Sequence, residues 1–256
     1  MHDMFSLEGK VAVLIGGGGV LAGEMAHGLA ECGANILVVD INIDNAEARA
    51  HAIRETGRKS LAVQADASNK QDLERALQTT LDNFGRVDIL VNAAGINSGT
   101  PFFDITEEEW HRVLDVDLKS LFLGCQIFGK HMVESQQGGS IINISSIASD
   151  PPLSKVFTYS VAKGGINQLT RFLAREWAPH RVRVNAILPG FVPAEQNRKV
   201  LTPERAAQAI GHTPMGRFGE PRELVGAAIF LAAERASSYV TGALLRVDGG
   251  FGAMSI

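Results

Sequence analysis

The stretch VAVLIGGGGVLAG, residues 11–23, places an apolar run, four consecutive glycines and the start of a helical pattern in direct succession. The apolar run predicts a buried strand, and the residues after the glycines recur at helical spacing. N–H groups at a helix N-terminus can bind a phosphate, and glycines let the backbone approach it closely. The loop is therefore either a phosphate-binding turn or only a flexible connection from strand to helix.

The same succession of strand and helix repeats along the whole chain. Short apolar runs predict strands at residues 11–15, 35–40, 60–65, 87–92, 140–145, 181–187 and 243–248. Between them, helical spacing of apolar residues predicts helices at residues 22–33, 45–57, 70–85, 107–134, 159–178 and 220–236. Apolar strands separated by helices indicate a single α/β domain over residues 1–256. Its parallel sheet should be covered on both faces, with ligands at the carboxyl ends of the strands.

Composition and charge exclude several classes of protein. The chain is 45% hydrophobic with a formal net charge of −4, which creates no field that attracts nucleic acid or anionic lipid. No apolar stretch approaches the roughly 18 to 20 residues that span a bilayer, and no signal-peptide pattern is present. Cys32 and Cys125 suggest neither a disulfide framework nor a zinc site. We expect a cytoplasmic protein without metal, nucleic-acid or membrane partners.

A carboxylate at the end of the second predicted strand favours the phosphate-binding interpretation of the glycines. Asp40 lies one βα unit after the glycine loop, where an acidic side chain can accept hydrogen bonds from an adenosine ribose. Its charge would repel the extra phosphate of NADP, and neither Gly19 nor the residues Ile-Asn-Ile after Asp40 supply a cation. The sequence therefore predicts NAD as the cofactor.

Tyr159 and Lys163 lie four residues apart at the start of a predicted helix, and so on one face of it. The Lys163 ammonium can stabilise a phenolate, which suits acid–base chemistry near neutral pH. Alone, such a pair is more often an exposed surface pattern. Thirteen residues upstream, however, Ser146 follows directly after a strand whose end should open on the same crevice, where its hydroxyl can hydrogen-bond a substrate oxygen. Strand alternation turns Ser145 the other way, which gives it a structural role.

The chain resembles the short-chain dehydrogenase/reductase family over essentially its whole length. The motifs, in order, are VLIGGGGVLAG (residues 13–23), Asp40, VNAAG (91–95), Ser146, YSVAK (159–163) and LPG (188–190). The resemblance implies a Rossmann-type, doubly wound, parallel seven-stranded sheet and a nicotinamide cofactor. It also implies hydride transfer at a carbon that bears a hydroxyl or carbonyl group.

The resemblance implies roles for individual residues. Tyr159 is expected to be the general acid and base, Lys163 to assist it and bind the nicotinamide ribose, and Ser146 to orient the reacting oxygen. The expected cofactor-binding residues are Gly16, Gly18, Gly19, Val20, Leu21, Asp40, Asp66, Ala67, Asn92, Ala93, Ala94, Gly95, Tyr159, Lys163, Pro189, Gly190 and Val192. The expected substrate-binding residues are Asn97, Ser146, Glu195, Gln196 and Arg198, under a lid at about residues 189–219.

The sequence departs from the family pattern at three places. The glycine loop lacks the family's usual threonine and two glycines at Ile15, Val20 and Ala22, although we expect nucleotide binding to survive. Asp117 replaces the asparagine of the family's proton relay, and we include it among the catalytic residues. Ala194 replaces a threonine that often contacts the carboxamide of the cofactor.

The segments around the substrate side indicate a small polar substrate. Residues 189–201, 212–221 and 247–256 resemble the sugar-acid branch of the family, which includes D-mannonate (fructuronate) oxidoreductases and gluconate 5-dehydrogenases. Two alternatives remain: an enzyme like the 3-oxoacyl-carrier-protein reductases, and a catalytically silent nucleotide-sensing protein on the same fold. The reductases usually prefer NADP and favour a basic patch, neither of which is evident here. A sensor has no need of an intact Ser146, Tyr159 and Lys163.

Two predicted helices carry apolar residues over more than one face, as expected of an interface between subunits. These helices are residues 107–134 and 159–178, and the apolar residues include Leu118, Leu121, Phe122, Phe128, Phe172 and Trp177. Burial within one subunit would explain any single one of them. The family resemblance favours a homotetramer with two-fold symmetry, in which these helices pair.

Overall fold

The computed structural model describes residues 2–193 and 202–254. Seven parallel strands form one sheet in the order β3-β2-β1-β4-β5-β6-β7, which confirms the doubly wound Rossmann-type fold. The strands are β1 (Val11–Ile15), β2 (Asn35–Asp40), β3 (Ser60–Gln64), β4 (Ile89–Asn92), β5 (Gly139–Ile144), β6 (Val182–Pro189) and β7 (Leu244–Val247). Each observed strand overlaps the apolar run that predicted it.

Helices pack on both faces of the sheet, which is why the central strands are apolar at nearly every position. Alternate side chains of β1 point to opposite faces, so Ala12 and Leu14 join one core while Val13 and Ile15 join the other. The helices are α1 (Val20–Glu31), α2 (Ile43–Glu55), α3 (Lys70–Phe84), α4 (Glu107–Leu114), α5 (Ser120–Glu134), α6 (Phe157–Trp177), α7 (Pro203–Gly211), α8 (Val225–Ala232) and α9 (Glu234–Ser237). Short 3₁₀ turns occupy His2–Phe5, Phe102–Asp104, Ile147–Ser149, Ala178–His180, Pro221–Leu224 and Phe251–Ala253.

The predicted helix at residues 107–134 is not one regular helix. A π turn, Asp115–Lys119, separates α4 from α5, and the Ser120 N–H bonds to the Asp115 carbonyl across five residues. The turn inserts one extra residue into the helix and carries Asp117, which is fully buried. Helical periodicity predicted the whole segment, but the local change in hydrogen bonding leaves no mark in that periodicity.

Two further elements differ from the sequence-based expectation. Predicted helix 220–236 is divided into the turn Pro221–Leu224, α8 and α9. The segment expected to be an irregular lid contains α7, which begins where the Thr202 hydroxyl accepts the Arg205 N–H at 3.3 Å. Thr-Pro-Glu at residues 202–204 is an ordinary helix-start pattern, with a capping threonine followed by proline and an acidic residue.

The apolar residues predicted to form an interface divide into two groups. Leu121 and Phe128 are buried within the described subunit, in the core between α5 and the sheet, so these two are not surface residues. Leu118 and Trp177 pack partly against the same core. Phe122 and Phe172, on α5 and α6, are 45% and 61% exposed. Of the six residues, only Phe122 and Phe172 offer the exposed apolar surface that the prediction described.

A buried arginine joins β6 to the C-terminal end of α8. Arg183 is 8% exposed, and its Nη1 donates to the Leu231 carbonyl and the Ser237 hydroxyl, each at 2.8 Å. Its Nη2 donates to the Ala232 carbonyl at 3.4 Å. The last carbonyls of a helix have no partner within the helix, and a cation there also complements the helix dipole. Arg183 therefore satisfies a helix end that is packed against the sheet.

We expect Arg183→Met to lower the free energy of unfolding by about 2 to 4 kcal/mol, because it removes these hydrogen bonds while their acceptors stay buried. Urea unfolding followed by circular dichroism measures the change. Arg235→Met is the matched control on α9, where the side chain is 65% exposed, and it should stay within about 0.5 kcal/mol. Equal stability of the two variants would contradict the role of Arg183.

Candidate active site

A cavity opens at the carboxyl ends of β1 and β4. These strands are neighbours in the sheet although β2 and β3 lie between them in the chain, so the segments that follow them diverge to opposite faces. The cavity has a volume of about 720 Å³, which suits a bound cofactor together with a small substrate. Its walls come from the glycine loop, the segments after β4 and β5, the start of α6, the segment after β6, and α7.

The glycine loop forms one end of the cavity. Gly16 has a φ of +76°, and a Cβ there would lie 2.6 Å from the Ala94 nitrogen, so only glycine fits. α1 begins after Gly19 with no side-chain cap and no acidic residue in its first turn. The first N–H groups of a helix have no partner within the helix, and here no side-chain cap takes their place. Val20 and Leu21, in this first turn, line the cavity. This end has the donors and the dipole that a diphosphate requires.

The Asp40 carboxylate is bonded to the glycine loop. Its Oδ2 accepts the Gly18 N–H and its Oδ1 accepts the Asn42 N–H, each at 3.0 Å. A Cβ on Gly18 would lie 2.9 Å from this carboxylate, so a larger residue at that position would displace it. Val20 is the first residue of α1, where a side chain is tolerated, which accounts for the missing glycine. The loop therefore keeps its shape despite its departure from the family pattern.

Many of the predicted cofactor residues line this cavity, and the others are not part of its lining. The lining residues of that set are Gly16, Gly18, Gly19, Val20, Leu21, Ala93, Gly95, Tyr159, Lys163, Pro189, Gly190 and Val192. The residues of the set outside the lining are Asp40, Asp66, Ala67, Asn92 and Ala94. The Asp66 carboxylate accepts the N–H and hydroxyl of Ser68, at 2.8 and 2.7 Å, and so stabilises its own loop.

The prediction that Asn92 binds the cofactor requires a correction for its side chain, because the amide points into the protein core and away from the cavity. It is 2% exposed, and its Nδ2 donates to Asn143 Oδ1 at 2.9 Å. The Asn143 amide in turn donates to the Thr170 hydroxyl at 2.9 Å. These contacts join β4, β5 and α6 below the cavity. Of the VNAAG motif, Ala93 and Gly95 contribute to the lining.

Ser146, Tyr159 and Lys163 lie together on the wall of the same cavity. The Ser146 hydroxyl accepts the Ala148 N–H at 3.1 Å, and Lys163 Nζ lies 5.2 Å from the centre of the Tyr159 ring. Ser145 Oγ lies 2.8 Å from Asn167 Oδ1 and 3.1 Å from the Lys163 carbonyl, which gives it a structural contact with α6. The residues predicted to act in catalysis are therefore adjacent in space.

Asp117 is the closest charged neighbour described for Lys163. Its Oδ1 accepts the Ile96 N–H at 2.7 Å, and its Oδ2 lies 3.3 Å from Lys163 Nζ. The second contact is not aligned as a hydrogen bond, so its attraction is chiefly coulombic. Lys163 Nζ also donates to the Ile144 carbonyl at 3.2 Å. Both side chains are buried, so the pair lies beside Tyr159 in a region of low dielectric.

Burial and charge have opposite effects on the pKa values of Asp117 and Lys163. Burial raises the pKa of the Asp117 carboxyl, although the Lys163 charge and the Ile96 N–H oppose the increase. Burial alone would lower the pKa of Lys163, but the charges of Asp117 and Tyr159 outweigh it and raise that pKa. Lys163 is therefore held as an ammonium, and Asp117 offsets part of its charge. Asp117 is a charged neighbour of the proposed chemistry and does not face solvent.

The cavity has cations that the sequence did not indicate, on the side that we expect to hold the substrate. Arg112 and Arg205 line it together with the predicted Asn97. Including Arg49 and Lys163, the described lining residues provide four cationic side chains and no aspartate or glutamate. Glu195, Gln196 and Arg198, which were predicted to bind substrate, and Ala194 lie outside the described residues. The helix-start pattern at Thr202 could have placed Arg205, whereas no sequence signal marks Arg112.

Apolar side chains form the remaining wall of the substrate side. Phe191 and Phe218 both line the cavity, with ring centres 6.4 Å apart. Phe251 packs behind Phe191 at 5.5 Å and against His212 at 4.5 Å, so the segment after β6 and the segment after β7 support each other. This aromatic cluster gives part of the cavity an apolar wall, which favours exclusion of water there.

Other kinds of chemistry have little support in the described part of the chain. Burial raises the pKa of Cys125 to about 12 and also raises that of Cys32, which disfavours a reactive thiolate at either position. Residues 2–193 and 202–254 contain no group of three or more His, Cys, Asp or Glu side chains arranged to bind a metal. None of the described helices has both the length and the apolar character needed to cross a bilayer.

Comparison with known sequences places this architecture among oxidoreductases. A family model described as enoyl-(acyl carrier protein) reductase matches residues 19–252. The chain is 36% identical to 5-keto-D-gluconate 5-reductase from Escherichia coli K12, with 98% of each sequence covered. It is 38% identical to 2-dehydro-3-deoxy-D-gluconate 5-dehydrogenase from the same organism, covering 96% of this chain and 97% of that protein.

Solved structures of oxidoreductases are also similar to this protein over nearly the whole chain. A gluconate 5-dehydrogenase from Burkholderia cenocepacia J2315, in complex with NADP and tartrate, has a TM-score of 0.94 at 33% identity, with 99% of each chain covered. A structure from Haemophilus influenza, assigned as a D-mannonate oxidoreductase with bound NAD, has a TM-score of 0.92 at 35% identity, covering 98% of this chain and 97% of that one. The chain therefore belongs to the short-chain dehydrogenase/reductase family of oxidoreductases, which depend on a pyridine nucleotide.

Proposed function

We propose that the protein is an NAD-dependent dehydrogenase that interconverts a hydroxyl and a carbonyl group on a small sugar acid of the mannonate/fructuronate or gluconate type. The observation that carries the proposal is the charge of the cavity. Its described lining combines the Ser146, Tyr159 and Lys163 set with arginines and no carboxylate, in a chain of net charge −4. Such a cavity attracts an anionic cofactor and an anionic substrate. Relatives named for gluconate derivatives and mannonate support this substrate class.

Each member of the catalytic set has a distinct role in this proposal. The Ser146 hydroxyl hydrogen-bonds the reacting oxygen and orients it. In the direction of oxidation, Tyr159 accepts the proton of the substrate hydroxyl, and Lys163 stabilises the phenolate that takes it. When bound, the nicotinamide cofactor supplies the acceptor for the hydride that leaves the same carbon. The product is a carbonyl group, and reduction follows the same steps in reverse.

The residues of the glycine loop fit a nicotinamide dinucleotide. The uncapped start of α1 provides N–H groups for the diphosphate, and Lys163 serves the nicotinamide ribose. Asp40 is suited to accept hydrogen bonds from the adenosine ribose and to repel a 2′-phosphate. Arg49, the cation at this end, packs against Gly23 and lies 3.9 Å from Glu24, which offsets its charge. These contacts favour NAD, although the Burkholderia neighbour holds NADP.

Purified protein incubated with NAD and a panel of aldonates, uronates and polyols should form NADH fastest with a sugar acid, measured by absorbance. The value of kcat/KM with NAD should exceed that with NADP by at least about tenfold, since Asp40 repels the extra phosphate. A 3-oxoacyl-carrier substrate with NADPH is assayed in parallel, because the family model carries an acyl-carrier-protein description. Preference for that substrate, or for NADP, would overturn the proposal, and tight NAD binding without turnover would favour a nucleotide sensor.

We expect Tyr159→Phe to lower kcat by about 10² to 10⁴-fold, because it removes the only proposed proton carrier while keeping the ring. The dissociation constant of NADH, measured by fluorescence, should change less than about threefold. Lys163→Ala should impair both turnover and NADH binding, because Lys163 serves the tyrosine and the ribose. A Tyr159→Phe enzyme that kept more than about a tenth of kcat would rule out the acid–base role of Tyr159.

Asp117→Asn should leave an active enzyme whose oxidation of substrate extends to lower pH. The Asp117 carboxylate offsets the Lys163 charge and repels a phenolate, so its removal favours the form of Tyr159 that accepts a proton. The test is the pH profile of kcat/KM for oxidation at saturating NAD. Superimposed profiles would exclude an electrostatic role for Asp117, and a shift to higher pH would mean that the sign is wrong.

Membership of the short-chain dehydrogenase/reductase family also supports a proposal for the oligomeric state of the protein. Phe122 and Phe172 leave apolar surface on α5 and α6, and pairing of these helices in a homotetramer with two-fold symmetry would cover it. Light scattering at micromolar concentration distinguishes four chains of 27.4 kDa from one. A cytoplasmic location remains an expectation from the sequence, in keeping with a small polar substrate and a diffusible cofactor.

A further inference from the structure

We propose that Arg205 binds the carboxylate of the substrate and thereby determines the preference for sugar acids over neutral sugars. This inference rests on the proposed function and goes beyond it, because it assigns a particular side chain to the part of the substrate that does not react. Arg205 is half-buried at the substrate side of the cavity, on the first turn of α7.

Two hydrogen bonds fix the position of Arg205. Its backbone N–H donates to the Thr202 hydroxyl that caps α7, at 3.3 Å. Its Nη2 donates to the Ser154 carbonyl at 2.9 Å, so the side chain reaches from α7 to the segment between β5 and α6. A guanidinium that is already oriented loses less conformational freedom when a ligand binds.

The bond to Ser154 leaves most of the guanidinium available. Arginine has five N–H donors in a planar fork, and one of them is used here. Within the part of the chain that the structure describes, no carboxylate lies within ion-pair distance of Arg205. A substrate carboxylate can accept two parallel N–H bonds from such a fork, which gives both affinity and orientation.

The segment that Arg205 contacts also connects the catalytic residues. Ser154 lies in the chain between Ser146 and Tyr159, and its neighbours Leu153 and Val156 line the cavity. A carboxylate bound to Arg205 would therefore fix one end of the substrate relative to the hydroxyl and phenol that act on another carbon. The proposal therefore requires a substrate with an acid at one end and a reacting hydroxyl further along.

The other cations of the lining are less suited to this role. Lys163 is paired with Asp117, and Arg49 lies at the nucleotide end beside Glu24. Arg112 is exposed, and its charge acts on Glu109, three residues earlier on α4. Arg205 alone of the four is half-buried and has no carboxylate within ion-pair distance or acting on its charge among the described residues. It is therefore the cation whose charge is most available to a ligand.

A hexonate and its hexonamide test the proposal, because the two molecules differ in charge but scarcely in shape. For the native enzyme, KM for the acid should be lower than KM for the amide. Arg205→Gln should raise KM for the acid at least tenfold, change kcat less than about threefold and leave KM for the amide nearly unchanged. Arg205→Lys keeps the charge without the fork, so it should give an intermediate KM for the acid.

Arg222→Gln is the matched control, because Arg222 is 77% exposed and outside the cavity lining, and it should behave like the native enzyme. NADH binding verifies that each variant is folded. Equal effects of Arg205→Gln on acid and amide, or no effect on either, would overturn the proposal, as would selective loss of the acid with Arg112→Gln instead. Native enzyme that oxidises no sugar acid would overturn the proposed function itself.

Discussion

The buried ammonium of Lys163 constrains the chain segments at the centre of this molecule. A charge removed from water must be compensated by nearby dipoles or an opposite charge, and the compensation must be held at short distance. Here the Ile144 carbonyl comes from the end of β5 and the Asp117 carboxylate from the π turn. Asp117 in turn accepts the N–H of Ile96, just beyond β4. One charge on α6 thus fixes three other chain segments around the cavity.

The distribution of charge divides the cavity into regions with different properties. At the reacting end the cation has an internal counter-charge, so its field is short-ranged and acts mainly on Tyr159. At the nucleotide end, the dipole of α1 and the backbone N–H groups provide diffuse positive potential. At the substrate end, Arg205 has no such counter-charge among the described residues. The same type of charge therefore has a counter-charge in one region and is available to a ligand in the other, which is the difference on which the proposed roles of Lys163 and Arg205 rest.

The positions of site residues could be predicted from the sequence where a local pattern of strand or helix also determines where the reactive side chain lies. Tyr159 and Lys163 share a helix face because they are four residues apart, and Ser146 lies at the cavity because it follows a buried strand. The direction of a side chain at the end of a strand is harder to predict from the sequence. For this reason Asn92 was assigned to the cofactor, although its amide faces the core. The helix start at Thr202 could have placed Arg205 on a helix, but its position at the cavity depends on a contact with Ser154 that spans 51 residues. No local pattern reports a contact of that kind.

The π turn makes the length of one helical segment part of the chemistry. A regular α-helix advances about 100° per residue, so one residue more or fewer rotates everything beyond it by that amount. α4 and α5 each keep their own packing, and the additional residue between them is what brings Asp117 inward. Deletion of a single residue from Asp115–Lys119 would restore a regular helix without changing the order of the elements. It would also turn the carboxylate away from Lys163. An insertion or deletion of one residue here would therefore leave the architecture in place and change what surrounds the Lys163 ammonium.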